Sequence, residues 1–165
     1  GPHFLEFGEL DGEPSARCMA IAQAITGAGM EAIVAPKIAE RMWWKLVGVC
    51  GASIFCLMRA NKGQVWDFPE TPALMHQVLT EGVAVAQAHG IALAATLPAD
   101  MVKIANTFPP QYKPSLLVDL EHGRRLEIEA WNGALVRYGK AAGVPTPVNE
   151  VIYACLKPYA NGALT

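Results

Sequence analysis

The chain has 165 residues, of which 52% are hydrophobic and only 17% charged, with a formal net charge of -2. That length suffices for one compact domain with a sizeable core, or for one domain and part of another. The weak negative balance excludes the electrostatic footprint of a nucleic-acid binder or of a protein attracted to an anionic membrane. Cys18, Cys50, Cys56 and Cys155 form no CxxC motif and no ligand-like pairing with the four histidines. Neither a metal site nor a disulfide framework is therefore expected, and the cysteines read as reduced, apolar residues of a cytoplasmic protein. No basic segment followed by an apolar one opens the chain as in a signal peptide. The uncharged run from Leu46 to Met58 falls short of the ~20 apolar residues that span a bilayer. The longer run from Gly82 to Ala99 is interrupted by Gln87, His89, Gly90 and Pro98, and reads as a buried helix with its turn.

Taken in order, Gly1 and Pro2 resemble the remnant of a cleaved tag. Phe4, Leu5, Phe7 and Leu10 predict a short strand, Phe4 to Glu9. DGEPS is a turn, and Ala16 to Ala28 is an alanine-rich helix stopped by Gly27 and Gly29. Glu31 to Ala35 is a second strand. Two strands do not make a stable sheet by themselves, so residues 1–36 are expected to be the remainder of a larger one, with edges that invite a second copy to pair. After Pro36 the chain reads as helix, at about 38–60, 71–89, 98–107, 114–122, 126–142 and 147–158. Pro72, Pro98, Pro114 and Pro147 each mark a helix start, with Thr71 and Thr146 available as caps, and Gly90, Gly123 and Gly143 act as stops. The connection from Asn61 to Glu70 is long and carries Trp66 and Phe68, which predicts a lid or a satellite core.

Two stretches carry chemistry. In the long helix from Ile38 to Arg59, Trp43, Leu46, Val47, Cys50, Ile54, Leu57 and Met58 recur at three- and four-residue spacings, as in a helix packed on more than one side. Lys45 lies among them, and Val49 and Ser53 follow four and eight residues on, along the same face. Lys45 either snorkels over apolar surface or marks a functional stripe. In Lys113 to Glu150, Ser115 stands at a helix start, where it either caps its own helix or helps free backbone N–H groups hold a carboxylate. Glu127 and Glu129 diverge on a helix. One is expected to face solvent or pair with Arg124 or Arg125, the other to face inward with Trp131.

These residues carry a resemblance. FGELDGEPSAR at the start, W-x-K-L in the long helix, and K-P-S-L-L-x-D-L-E-x-G-R-x-x-E-I-x-x-x-N-G followed by A-G-V-P-T-P-x-N resemble the C-terminal part of the ketopantoate reductase family, enzymes that reduce 2-dehydropantoate to pantoate with NADPH. The resemblance runs from Leu5 to Lys157. It implies a mainly α fold: an all-helical C-terminal dehydrogenase domain, similar to that of 6-phosphogluconate dehydrogenase, over residues 37–165, preceded by a β-α-β remnant of a Rossmann domain. GxGxxG is absent, so the expectation is a fragment whose NADPH is bound mainly by a missing N-terminal domain, and which is inactive alone. By the same resemblance Lys45 matches the proton-donating lysine, Glu127 the acidic residue near the nicotinamide, and Ser115 a serine that contacts substrate. Where ketopantoate-reducing members carry substrate-binding asparagines one and two turns after the lysine, this chain has Val49 and Ser53, which implies a less polar stripe. The expected partner is a small 2-oxo acid: 2-dehydropantoate, or a different, more apolar one in a paralogue. The alternative function is a non-catalytic helical binding or dimerisation module. Homodimerisation through the orphaned strands is a further expectation.

Overall fold

The alternation of Phe4, Leu5 and Phe7 forms a strand as predicted, but a shorter one. In the computed structural model of the chain, which describes residues 4–164, β1 runs Phe4–Phe7. Gly1 and Pro2 lie outside the described residues. Helix α1 (Ala16–Gly27) carries the chain across to β2 (Glu31–Val34), which pairs with β1 in parallel, Phe4 opposite Glu31 and Phe7 opposite Val34. A parallel pair requires such a crossover. Ser15 is the N-cap of α1, its hydroxyl oxygen accepting the Cys18 N–H at 3.2 Å. That hydroxyl in turn donates to the carboxylate of Glu9, which also receives the Arg17 Nε–H at 2.6 Å. The FGELDGEPSAR segment is thus tied at both ends of its turn. The Arg17 guanidinium, then the Ser15 hydroxyl, hold the Glu9 carboxyl at about 2, well below its ordinary value.

The chain divides into two units, one up to Trp44 and one from Lys45 onward. Helix α2 (Ile38–Ala52) starts in the first, where Arg41 donates from Nε to Glu6 at 2.7 Å. The second unit is built of helices and their connections, with no strand among its described residues. It holds the rest of α2, then α3 (Ile54–Met58), α4 (Lys62–Val65), α5 (Glu70–Ala88), α6 (Leu97–Asn106), α7 (Ser115–Glu121), α8 (Asn132–Ala142) and α9 (Pro147–Leu156). Single 3-10 turns occupy Glu127–Glu129 and Lys157–Tyr159. Helix α5 packs on α6, α8 and α9, and α3 packs on α7 and α9. Val47, Ile54, Leu79, Leu117, Leu135 and Ile152 are the sealed centre of the core. Two glycines let α2 and α5 touch: a Cβ on Gly51 would stand 2.7 Å from Leu79 Cδ2, and one on Gly82 would stand 3.0 Å from Val47. Together α2 and α3 are long and apolar enough to cross a membrane by length and composition alone. The burial of Val47, Cys50, Ile54, Phe55 and Cys56 is that of a core helix.

Four predicted details differ from the structure. The helix expected over 38–60 breaks at Ser53, where the amide bonds back three residues to Cys50 O at 3.2 Å and the hydroxyl lies 3.2 Å from Val49 O, a local arrangement that bends helices. Neither threonine caps its helix. Thr71 sits inside α5 near Met58 Sδ, and at Thr146 the N–H groups that it would have taken are already bonded to Glu81. The helix expected over 126–142 begins as a 3-10 turn and becomes α-helical only at Asn132. Of the aromatic pair in the connection before α5, Trp66 is buried in a satellite core, stacked on Phe55 at 5.9 Å, whereas Phe68 is 62% exposed.

Because the native state favours the Glu9 carboxylate, its contribution is present above the ordinary value of 4.5 and is lost as the pH falls towards about 2. Glu9→Gln is therefore expected to speed amide hydrogen exchange in α1 at neutral pH, with the difference from the parent closing progressively below that ordinary value.

Candidate functional site

Helix α2 presents a graded face. Lys45 is exposed, and no hydrogen bond or ion pair joins it to another described residue. One and two turns on, Gly48, Val49 and Ala52 are half-buried and offer no hydrogen-bonding side chain. Ser53, at the break between α2 and α3, is fully buried. Its hydroxyl points inward and donates to Asn132 Oδ1 at 2.7 Å.

That bond is the last of a directed series. Asn132 Nδ2 donates to Asn149 Oδ1 at 2.9 Å, and Asn149 Nδ2 donates to the carboxylate of Glu81 at 2.7 Å. Both asparagines are sealed from solvent. Glu81 projects from α5 onto the amino end of α9, where it also accepts the N–H groups of Val148 at 2.9 Å and Asn149 at 3.0 Å. A carboxylate at a helix amino end satisfies orphan donors and complements the helix dipole. It can only accept, which fixes the amide orientations in sequence. Asn149 must present nitrogen to Glu81 and therefore oxygen to Asn132. Asn132 must then present nitrogen to Asn149 and oxygen to Ser53, and Ser53 must donate. Carbonyl oxygens support the same orientation, with Val78 O 3.2 Å from Asn149 Nδ2 and Cys50 O 3.4 Å from Asn132 Nδ2.

Asn132 directly follows the turn that bears Glu127. The Glu127 carbonyl accepts from Ala130 N at 2.9 Å and Trp131 N at 3.1 Å, closing that turn. Gly133 admits the start of α8 because a Cβ there would stand 2.7 Å from Tyr153 Cε2. The Glu127 side chain is exposed and makes no hydrogen bond to a described residue. Glu129 is the paired member of the two, accepting from Tyr153 Oη at 2.8 and 2.9 Å and from Arg137 at 3.3 Å. The Tyr153 hydroxyl, ahead of the Lys157 and Arg137 charges, holds the Glu129 carboxyl below its ordinary value. Glu127 is thus the solvent-facing member, whereas Glu129, itself exposed, does not face inward with Trp131 as expected, and Arg124 pairs with Asp119 instead. Ser115 opens α7 with its hydroxyl exposed and capping nothing, which leaves it open to a ligand. Burial pushes the Cys56 thiol up to about 12, and the Cys50 thiol also upward, so neither is a nucleophile.

The sequence reading included Asn132 and Asn149 only as letters of a motif and passed over Glu81. Their helices carry other polar side chains, Gln87, Arg137 and Glu150 among them, so the sequence alone gives no signal that sets these three apart; the contacts between helices do.

For a dinucleotide, the β1–α1 turn is a poor host. The Glu9 carboxylate, bonded to Ser15 and Arg17, occupies the approach to the α1 amino end, where a pyrophosphate would require free amide donors.

The chain has counterparts among known proteins. Residues 37–160 match the family described as ketopantoate reductase PanE/ApbA C terminal, and the chain belongs to the ketopantoate reductase family. It is 29% identical over 163 residues to a 2-dehydropantoate 2-reductase of Archaeoglobus fulgidus, covering 98% of this chain and 54% of that protein. It is 32% identical over 118 residues to one from Caulobacter vibrioides, covering 72% and 40%. A Staphylococcus aureus ketopantoate reductase, described as dimeric, superposes with a TM-score of 0.84 at 26% identity, covering 90% of this chain and 52% of that one. The chain spans about half the length of the curated relatives it matches.

Removing the amide at the centre of the series strands the Asn149 oxygen and leaves a void. Asn132→Ala is expected to lower unfolding stability by about 2–4 kcal/mol in urea denaturation. Exposed Asn161→Ala is expected to change it by less than about 0.5 kcal/mol.

Proposed function

We propose that the full-length gene product containing this chain is a nicotinamide-dependent 2-oxo acid reductase of the 2-dehydropantoate 2-reductase type, with Lys45 as its proton donor. The observation that carries this reading is the family membership of residues 37–160 together with a lysine on α2 that is exposed and engaged by no described residue. NADPH is the proposed cofactor, and when bound it supplies a hydride to the carbonyl carbon. Its phosphates fall to a part of the full-length protein that this chain does not include, and Glu127 faces its nicotinamide end.

Lys45 donates a hydrogen bond from its ammonium to the ketone oxygen. As negative charge develops there, the ammonium stabilises it and transfers a proton, so that the ketone becomes an alcohol and the lysine a neutral amine that is reprotonated from solvent. The Ser115 hydroxyl, free at the amino end of α7, contacts the substrate. Val49, one turn from Lys45, lines the same stripe.

The full-length protein is expected to oxidise NADPH in the presence of 2-oxo acids. Lys45→Ala is expected to lower kcat by roughly 10²–10⁴-fold, the usual share of general acid catalysis. The melting temperature is expected to stay within about 1 °C of the parent, because the side chain is exposed and unpaired. A variant that keeps the parent kcat contradicts the role given to Lys45.

A further inference from the structure

If Lys45 marks the reacting carbonyl, the substrate's side chain lies along the face of α2 that follows it, and that face can be read residue by residue. Gly48, Val49 and Ala52 are half-buried and carry no hydrogen-bonding side chain. Ser53, which closes the stripe, has no exposed surface, and both acceptors of its hydroxyl proton lie inward, Asn132 Oδ1 at 2.7 Å and Val49 O at 3.2 Å. Turning that hydroxyl outward would leave the buried Asn132 oxygen without its donor, or else force the whole series to reverse. The Asn149 oxygen would then face the acceptor-only carboxylate of Glu81, which is itself fixed by two α9 amides. Position 53 is therefore closed to the ligand both by burial and by the direction of its hydrogen bond.

We propose that this site recognises 2-oxo acids whose side chain is apolar and carries no hydroxyl, and that Val49 with the inward-locked Ser53 determines this specificity. The inference rests on the reductase reading above and adds to it the class of substrate. A substrate hydroxyl placed against Gly48, Val49 and Ala52 leaves water without gaining a partner, a loss that a donor-bearing wall would avoid. The apolar side chain gains from the same surface by burial.

The test compares kcat/KM of the full-length protein for 2-dehydropantoate and for the analogue that differs only in lacking the side-chain hydroxyl. The analogue is expected to be favoured by about tenfold or more. Val49→Asn, a substitution at a half-exposed site, is expected to move the ratio towards 2-dehydropantoate by about tenfold. Turnover of both compounds with a ratio at or below one in the parent overturns the specificity assignment and leaves the reductase reading standing. Absence of NADPH and NADH oxidation with either compound, in protein that melts cooperatively, overturns the reductase reading and this inference with it.

Discussion

A single carboxylate organises the interior of the helical unit. Glu81 reaches from α5 to the amino end of α9, takes two main-chain N–H groups, and receives the amide of Asn149. Because it has no proton to give, it dictates the orientation of Asn149, then of Asn132, and finally of the Ser53 hydroxyl. Four side chains from α5, the α2–α3 junction, α8 and α9 are thus held in one arrangement. Buried polar networks of this kind specify a fold when every member is satisfied and are costly when one is not. Among the described residues, Thr146 Oγ1 is the buried side-chain polar atom left without a partner, and it stands beside the amides that Glu81 has taken.

This constraint also shapes the surface offered to a substrate. The break at Ser53 divides the long apolar helix into α2, which carries Lys45 and Val49 outward, and α3, which is largely buried against α7 and α9. The Glu127 turn ends three residues before Asn132, so the same amide that locks Ser53 also anchors the segment bearing that acid. Polar groups that could serve chemistry, Lys45, Ser115 and Glu127, remain on the surface and unpaired, whereas the polar groups behind them are fully spent on one another.

Much of this was legible in the sequence where a local rule decides. Proline at helix starts and glycine at helix ends placed α5, α6, α7 and α9 within a few residues, and Gly90, Gly123 and Gly143 do adopt positive φ. The βαβ unit followed from two short apolar runs around an alanine-rich helix. What stayed hidden depends on contacts distant in sequence. Ser53 reads as a third residue on the Lys45 face by its spacing, yet a partner 79 residues away turns it inward. Thr146 reads as a cap, yet Glu81, far upstream, performs that task. Glu127 and Glu129 cannot be told apart by spacing, and only the approach of Tyr153 makes Glu129 the structural one. Phe68, grouped with Trp66 by composition, stays outside the satellite core because Asn106 and Phe55 engage only the indole.

The claim that Glu81 sets the direction of the whole series can be tested by moving the charge along it. With Asn132→Asp alone, a carboxylate is set against the Asn149 oxygen, and with Glu81→Gln alone, the α9 clamp is weakened. In the double variant, the glutamine now at position 81 can donate to the Asn149 oxygen. Asn149 can then turn and donate to the new carboxylate at position 132, which still accepts from Ser53. A double-mutant cycle by urea denaturation measures this coupling between two residues joined only through Asn149. The account predicts that the double variant is more stable than the sum of the single losses by at least about 1 kcal/mol. Strict additivity within about 0.3–0.5 kcal/mol would contradict it.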